Sequence, residues 1–457
     1  MISNEIVKSY VDSNANFINH NERIFDIIEG DLLDKIKAKL QKIIRSPRAY
    51  QNTIELIPPI NILRQINNKL STIYVEPPER SAENSKDQFL IEYYESEADI
   101  NNVFHEANRF FNSQKVAAID PFVENGDARL RALSGHQFLV YSDDVVNKTK
   151  VTDFIKFIGK VGDEEIFFIY SNDSFSAVNQ YGQIKSEYLD GNMGENPFGI
   201  IPQTYIKKSR NLLIPKIDSD IYDMSLLLPI MWASINYGIN YQAHSVMYGI
   251  DVDDKNIEMN PDTFLSFKSD PNSNTKPEIG FMKPQIEIEA VDNHILDLFN
   301  AWLESMNIRP GEDTGGSASS LSGVARAIKE MDTTLNRKSQ ISYFKDFEAD
   351  FWYRQSKVHN YWVDTGRIKN IPKFSEGFKP TIIFPEISVS EDADAVVSRE
   401  EKKYKSGLTT LKKALEAIHK GLDEKEIDQL ILDIKNENTI EIPALNEQGI
   451  KENQNLI

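Results

Sequence analysis

The chain has 457 residues, 40% hydrophobic and 26% charged, enough apolar material for a sizeable core and more than one average domain. Against 51 Lys and Arg stand 70 Asp and Glu, a net charge of −19, which argues against a reader of nucleic-acid sequence but not against a protein that handles DNA without gripping it. There is no cysteine, which excludes disulfides, thiolate metal sites and cysteine nucleophiles, and fits a reducing compartment or an assembly indifferent to redox state.

In chain order, residues 1–45 show helical spacing, with Ile24, Ile27, Ile28, Leu32, Leu33 and Ile36 three to four apart, and Pro47 marks a break. The start, MISNEIVKSYVDSNANF, lacks the apolar run of a secretory signal. A second helix is predicted from Asn61 to Tyr74, stopped by Glu76-Pro77-Pro78, and a third over 86–113. From Val116 to about 190 short apolar runs alternate with turn signals (Asn125-Gly126, Ser134-Gly135, Asp143-Asp144, Gly162-Asp163), which predicts an antiparallel β-rich section.

Asn196 to Pro202 reads as a rigid extended link. Asp218 to Tyr248 follows as a mostly helical stretch in which Pro229 predicts a kink or a fresh helix start. Residues 250–288 read as non-helical, with TFLSF and QIEIEA as β-like runs around the loop SDPNSNTKP. Residues 289–308 are helical again, and RPGEDTGGSASS (309–320) is a flexible segment. The longest helical pattern runs from Leu321 to about Val363, with a polar patch at Asn336–Gln340 that predicts a bend. KPTIIFPEISV (379–389) alternates like a strand; 391–436 reads as two short helices joined near Gly421, with Asp423 as an N-cap; the last residues are polar and loose. No stretch reaches the roughly 20 apolar residues of a membrane span, so no membrane partner is expected. The fold class is therefore α+β.

This order of parts resembles the portal proteins of tailed double-stranded DNA bacteriophages over roughly residues 40–436. Local features are similar too: Asn196, Pro197, Gly199 and Pro202 form the link that portals often place before their stem, and Ser322-Gly323-Val324-Ala325 opens the helix after the loop. SREEKKYKSGLTTLKKALEAI followed by GLDEKEIDQLILDI is similar to the family's C-terminal helical region. The resemblance implies a wing (1–217), a first stem helix (218–249), a small β-containing clip (250–288), a second stem helix (289–308) and a tunnel loop (309–320). A long kinked wing helix and a strand (321–390) and a short helical crown with a flexible tail (391–457) complete it.

It also implies a ring, usually of twelve copies, at one capsid vertex of a virion assembled in the bacterial host cytoplasm. Double-stranded DNA would pass through the ring non-specifically during packaging and ejection. The clip would dock the terminase large subunit and later the head–tail adaptor, and the wing would meet the major capsid and scaffold proteins. No enzyme activity is expected of the chain itself.

On that reading the tunnel loop and its flanks face DNA through Arg309, Gly311, Gly315, Gly316, Ser317, Ser319, Arg326 and Lys329, with Arg337 and Lys338 also within reach of phosphates and Glu312 and Asp313 keeping contact weak. The bland reading is a solvated linker. The expected motor-docking residues are Thr263, Phe264, Lys268, Asp270, Asn272 and Lys276, and the expected channel-lining acids are Asp220, Asp223, Asp297 and Glu304. Asp292 adds to that charge.

Other chemistries are weaker. Gly311 and Gly316 have P-loop spacing, but Ser317 stands where the lysine should, so no nucleotide cofactor is expected. Asp251, Asp253 and Asp254 read as a solvated turn before they read as a cation site or as transferase machinery. Seven scattered histidines form no ligand pair, and Ser134-Gly135-His136 is no nucleophile elbow. The aromatic stripe of Trp302, Phe344, Phe347, Phe351, Trp352, Tyr361 and Trp362 reads first as core and second as an interface between subunits. The alternatives to a portal are a non-viral helical scaffold or adaptor and a metal-dependent hydrolase or transferase.

Overall fold

The computed structural model describes residues 2–58, 60–188, 194–217, 219–243, 246–251, 264–268, 278–282, 287–305, 308, 333–385, 393–407, 409–419 and 424–437. It is a mixed α+β structure and divides into two units, Met1–Pro385 and Glu386–Ile457.

The first unit opens with five short helices: α1 (Val7–Ser13), α2 (Ala15–Glu29), α3 (Leu32–Ile43), α4 (Pro47–Glu55) and α5 (Ile62–Leu70). Gly30, at φ 143°, ends α2. Pro47 is a break and also a start. Ser46 accepts the Ala49 N–H, and proline suits the first helical position, where its missing N–H costs nothing. The stretch expected as one helix over 86–113 is two, α6 (Ser85–Ser96) and α7 (Ile100–Gln114), because Asp99 adopts φ 51° between them.

Strands β2 (Val116–Glu124), β3 (Asp127–Leu133), β4 (Phe138–Tyr141), β5 (Asp153–Val161), β6 (Glu164–Tyr170), β7 (Phe175–Asn179) and β8 (Thr204–Lys207) occupy the predicted β-rich section and its continuation. They form a three-stranded antiparallel sheet of order β3-β2-β8 and a four-stranded meander β4-β5-β6-β7. Asn125 and Gly126, both at positive φ, make the two-residue turn of the β2–β3 hairpin, as the Asn-Gly signal predicts. Ile2, Val7, Val11 and Phe17 bury against Phe138, Phe154, Ile155 and Ile169, so the N-terminal helices close one face of the meander.

The chain then makes α8 (Ser219–Ala243), a three-stranded sheet of β9 (Val246–Ile250), β10 (Phe264–Phe267) and β11 (Glu278–Met282), and α9 (Ile288–Ser305). Strand β9 is central, parallel to β10 and antiparallel to β11. Three expectations are corrected. Pro229 neither ends nor restarts α8, which runs through it. The first stem helix stops at Ala243, so the β segment starts at Val246 instead of 250. Ile288, Glu289 and Ala290 belong to the first turn of α9, and the strand after the loop is Glu278–Met282.

Helix α10 (Thr334–Asp364) returns to the helices and strands of residues 73–130. Its Phe344, Phe347, Phe351, Trp352, Val358 and Trp362 bury against Leu90, Tyr94, Phe104 and Phe111 of α6 and α7 and Ile119 of β2. Each such side chain contributes about 1.5–3 kcal/mol of burial. The polar patch Asn336–Gln340, expected mid-helix, lies in the first two turns of this helix. Gln340 Nε2 donates to Asn112 Oδ1 at 2.8 Å, and Asn108 Nδ2 donates to Gln340 Oε1 at 2.8 Å. Strand β1 (Glu79–Ser81) pairs antiparallel with β12 (Thr381–Ile383), tying the segment after α10 to the wing.

In the second unit, α11 (Ala393–Lys405), α12 (Leu411–Ile418) and α13 (Glu424–Glu437) replace the two helices expected. Gly407, at φ 71°, ends the first, and Thr410 caps the second by accepting the Lys413 N–H.

Candidate functional site

Helix α8 is apolar on nearly every side because it is packed on two. Leu226 and Ile230 bury among Ile24, Ile28, Ile36 and Leu40 of α2 and α3. Leu228, Trp232 and Ile235 bury against Ile295, Phe299, Trp302 and Leu303 of α9 and against Ile62 and Ile66 of α5. The pair α8–α9 is thus rooted in the N-terminal helices. It carries at its other end the sheet β9–β10–β11, since the chain enters that sheet from α8 and leaves it into α9.

The charge on this pair is of one sign. No Lys or Arg occurs between Lys216 and Lys255, or between Lys283 and Arg309. On α9 the apolar face is opposite an exposed face bearing Glu289, Asp297 and Glu304 at i, i+8 and i+15, one stripe of the helix. Asp297 and Glu304 were expected there; Glu289, at the start of the helix expected over 289–308, was not named among the channel-lining acids, although its helical spacing to Asp297 was visible.

On α8 the expected acids sit in the first turn, where negative charge favours a helix N-terminus whatever else it does. Asp223 is exposed and meets Lys39 of α3 at 3.5 Å, so its charge is partly matched by the wing helices. Asp220 lies on the same turn by its backbone position.

Of the expected docking residues, Phe264 is the first residue of β10, paired in register with Met247, and Lys268 is exposed just beyond the strand. Thr263, Asp270, Asn272 and Lys276 lie outside the described residues. So do Arg309, Gly311, Glu312, Asp313, Gly315, Gly316, Ser317, Ser319, Arg326 and Lys329, together with Asp253 and Asp254. Asp251 closes β9 as an exposed residue at φ 56°.

The residues flanking the loop behave differently from expectation. Arg337 is no phosphate contact. It is buried, its guanidinium donates to the carbonyls of Thr72 (3.3 Å), Ile73 (3.4 Å) and Pro385 (2.6 Å), and burial pushes its pKa down. Lys338, its neighbour, is exposed. The stripe Trp302, Phe344, Phe347, Phe351, Trp352 and Trp362 is buried within the chain, with Tyr361 half-buried beside Phe198.

Among the described residues no group of three or more His, Asp or Glu side chains is placed to hold a metal ion, and no helix is long and apolar enough to cross a membrane. His359 is structural: its Nε2–H donates to the Pro372 carbonyl (3.0 Å) and its Nδ1 accepts from the Tyr94 hydroxyl (2.9 Å), the tautomer following from the carbonyl's being an acceptor only. The Ser134 hydroxyl meets His136 Nδ1 within one turn and is fully buried.

The arrangement offers a helix pair with an acidic exposed face, a distal three-stranded sheet, and a long helix that locks the wing. Compared with protein-family models and with curated proteins, the chain matches none of them.

Proposed function

We propose that this chain is one subunit of a ring-shaped DNA conduit of the portal class, with α8 and α9 as its stem, β9–β11 as its clip and the helix and sheet assembly around α10 as its wing. The observation that carries the reading is the stem itself. Two adjacent helices without a single Lys or Arg are rooted in an apolar base and joined at the far end by a small sheet. A wall that repels phosphate lets a duplex slide, whereas each Lys or Arg contact would add affinity and drag. The acidic stripe Glu289–Asp297–Glu304 is the part of α9 left for that wall once its apolar face is buried.

In this reading the sheet β9–β11, with Phe264 in β10 and Lys268 just beyond it, docks the terminase large subunit and then the head–tail adaptor. The wing meets the capsid and scaffold proteins of the virion, and the energy for packaging comes from a separate ATPase. Residues 309–320 are the DNA-facing segment.

The test is electron microscopy of the purified chain with light-scattering mass alongside. Rings with a central hole wide enough for a duplex, and a mass near a dozen times the 52.3 kDa of one chain, are expected. A monomer at every salt concentration, alone and with a scaffold protein added, would overturn the proposal in favour of a helical scaffold or adaptor.

A further inference from the structure

From Asn196 to Ile217 the chain carries no acidic residue but four cations, Lys207, Lys208, Arg210 and Lys216, in a protein whose net charge is −19. The structure brings Lys207 from β8 into a cleft of about 440 Å³ between the strands and α10, where it is joined by Lys150, Arg354 and Lys357. One carboxylate, Asp350, faces these four, and it is taken up by Arg354 at 2.7 Å.

The other cations have little acid to neutralise them. Lys207 Nζ donates to two carbonyls, of Leu212 (2.8 Å) and Thr149 (3.4 Å), and its partial burial lowers its pKa. Lys357 Nζ donates to the Tyr353 hydroxyl (2.9 Å) and lies over that ring. Lys150 is 3.8 Å from Asp144 and mostly exposed. A desolvated ammonium satisfied only by carbonyls gains most when an anion arrives, because a charge-assisted hydrogen bond is about twice as strong as a neutral one.

Between these cations the accessible surface is partly apolar: Val151 and Tyr205 are half-buried in the same cleft and Tyr353 is exposed there. Apolar walls with cations at the rim match a chain that alternates acidic with aliphatic side chains. A nucleic acid could stack on the tyrosines, but its denser charge meets the repulsion of the whole acidic chain.

We propose that this cleft docks an acidic, aliphatic peptide segment of a partner protein, its carboxylates on Lys207, Arg354 and Lys357 and its aliphatic side chains against Val151, Tyr205 and Tyr353. The proposal stands on the wing alone and does not depend on a ring.

The test is fluorescence anisotropy of a rhodamine-labelled octapeptide alternating glutamate and leucine, titrated with the full chain at low salt, with oligothymidylate as competitor. Saturable binding is expected, weakened about tenfold by Lys357→Glu at an exposed position and by Lys207→Gln, and unchanged by Lys42→Glu on α3. Absence of saturation would overturn the proposal, as would equal affinity in all variants. Oligothymidylate binding more tightly than the peptide and displacing it would also overturn it, and would assign the cleft to nucleic acid.

Discussion

Arg80 and Glu348, 268 positions apart in sequence, are both fully buried and joined by two hydrogen bonds, Nε to Oε2 at 2.8 Å and Nη2 to Oε1 at 2.9 Å. The same carboxylate accepts the Tyr74 hydroxyl (2.7 Å), and the guanidinium goes on to Glu95 and Asn101. The pair fixes α10 to β1 and to α6–α7, and the carboxylate raises the Arg80 pKa against the opposing effect of burial, which is larger as a single influence.

Breaking this pair leaves an uncompensated charge in the core. Glu348→Ala is expected to cost about 3–5 kcal/mol, read as a lower urea midpoint. Replacing the group with apolar residues of similar size, Arg80→Met with Glu348→Leu and Tyr74→Phe, is expected to restore most of that loss, since two buried charges and their desolvation vanish together. A triple variant no better than Glu348→Ala would show that the pair's geometry, not its charge balance, holds the helix.

Acid should weaken the wing through its histidines. Burial lowers the pKa of His359, against a smaller opposing effect of its bond to Pro372, and burial likewise lowers His105 and His136. The unfolded chain therefore takes up protons first as pH falls through about 6.5, so the stability that neutral imidazoles contribute is complete above that pH and is lost toward the lower folded pKa. Urea midpoints measured from pH 7 to pH 5 are expected to fall, and to fall less steeply in His359→Gln, with His105 and His136 supplying the remaining slope.

The pair α8–α9 depends on its aromatic seam. Phe299 is fully buried between Trp302 and the residues of α8. Phe299→Ala is expected to cost about 3–5 kcal/mol, whereas Glu304→Gln on the exposed face stays within about 0.5 kcal/mol. Thermal unfolding of the two variants checks the contrast, and proteolysis of α8–α9 in Phe299→Ala should precede that of the wing.

Charge on the stem can be tested separately from its stability. Glu289→Gln, Asp297→Lys and Glu304→Lys together should leave the melting temperature nearly unchanged, because the three side chains are exposed and the cation gained in the last turn of α9 offsets the acid lost from its first. If the stripe is a phosphate-repelling wall, the triple variant retards a linear duplex in a gel, increasingly so at low salt, while the parent chain does not. Equal mobility with both proteins would remove the stripe from any role with DNA.

The α+β class and the sequence of helices and strands were legible because periodicity and turn chemistry are local. Asn125-Gly126 could only be a tight turn, and the apolar spacing of Phe344, Phe347 and Phe351 could only be a buried helix face. What was not legible depended on partners distant in sequence. Pro229 should have interrupted α8, but packing on two sides holds the helix through it. Asn336–Gln340 read as a weak point because nothing local shows that Arg337 and Gln340 have buried acceptors and donors waiting in residues 72–112. The basic cleft was missed for the same reason. Lys207 and Lys357 are 150 positions apart, and the one local sign was the acid-free stretch from Asn196 to Ile217.

The wing's core is closed by a helix made late. Residues 73–130 hold most of the surface that α10 covers, yet α10 begins at Thr334, after the stem and clip have been synthesised. On a ribosome this core therefore waits on the order of tens of seconds, at roughly 5–20 residues per second, with Phe104 and Phe111 lacking their cover and Arg80 lacking Glu348. Chains that end before Asp364 should be taken up by chaperones or aggregate, even though they contain every strand of the wing's two larger sheets.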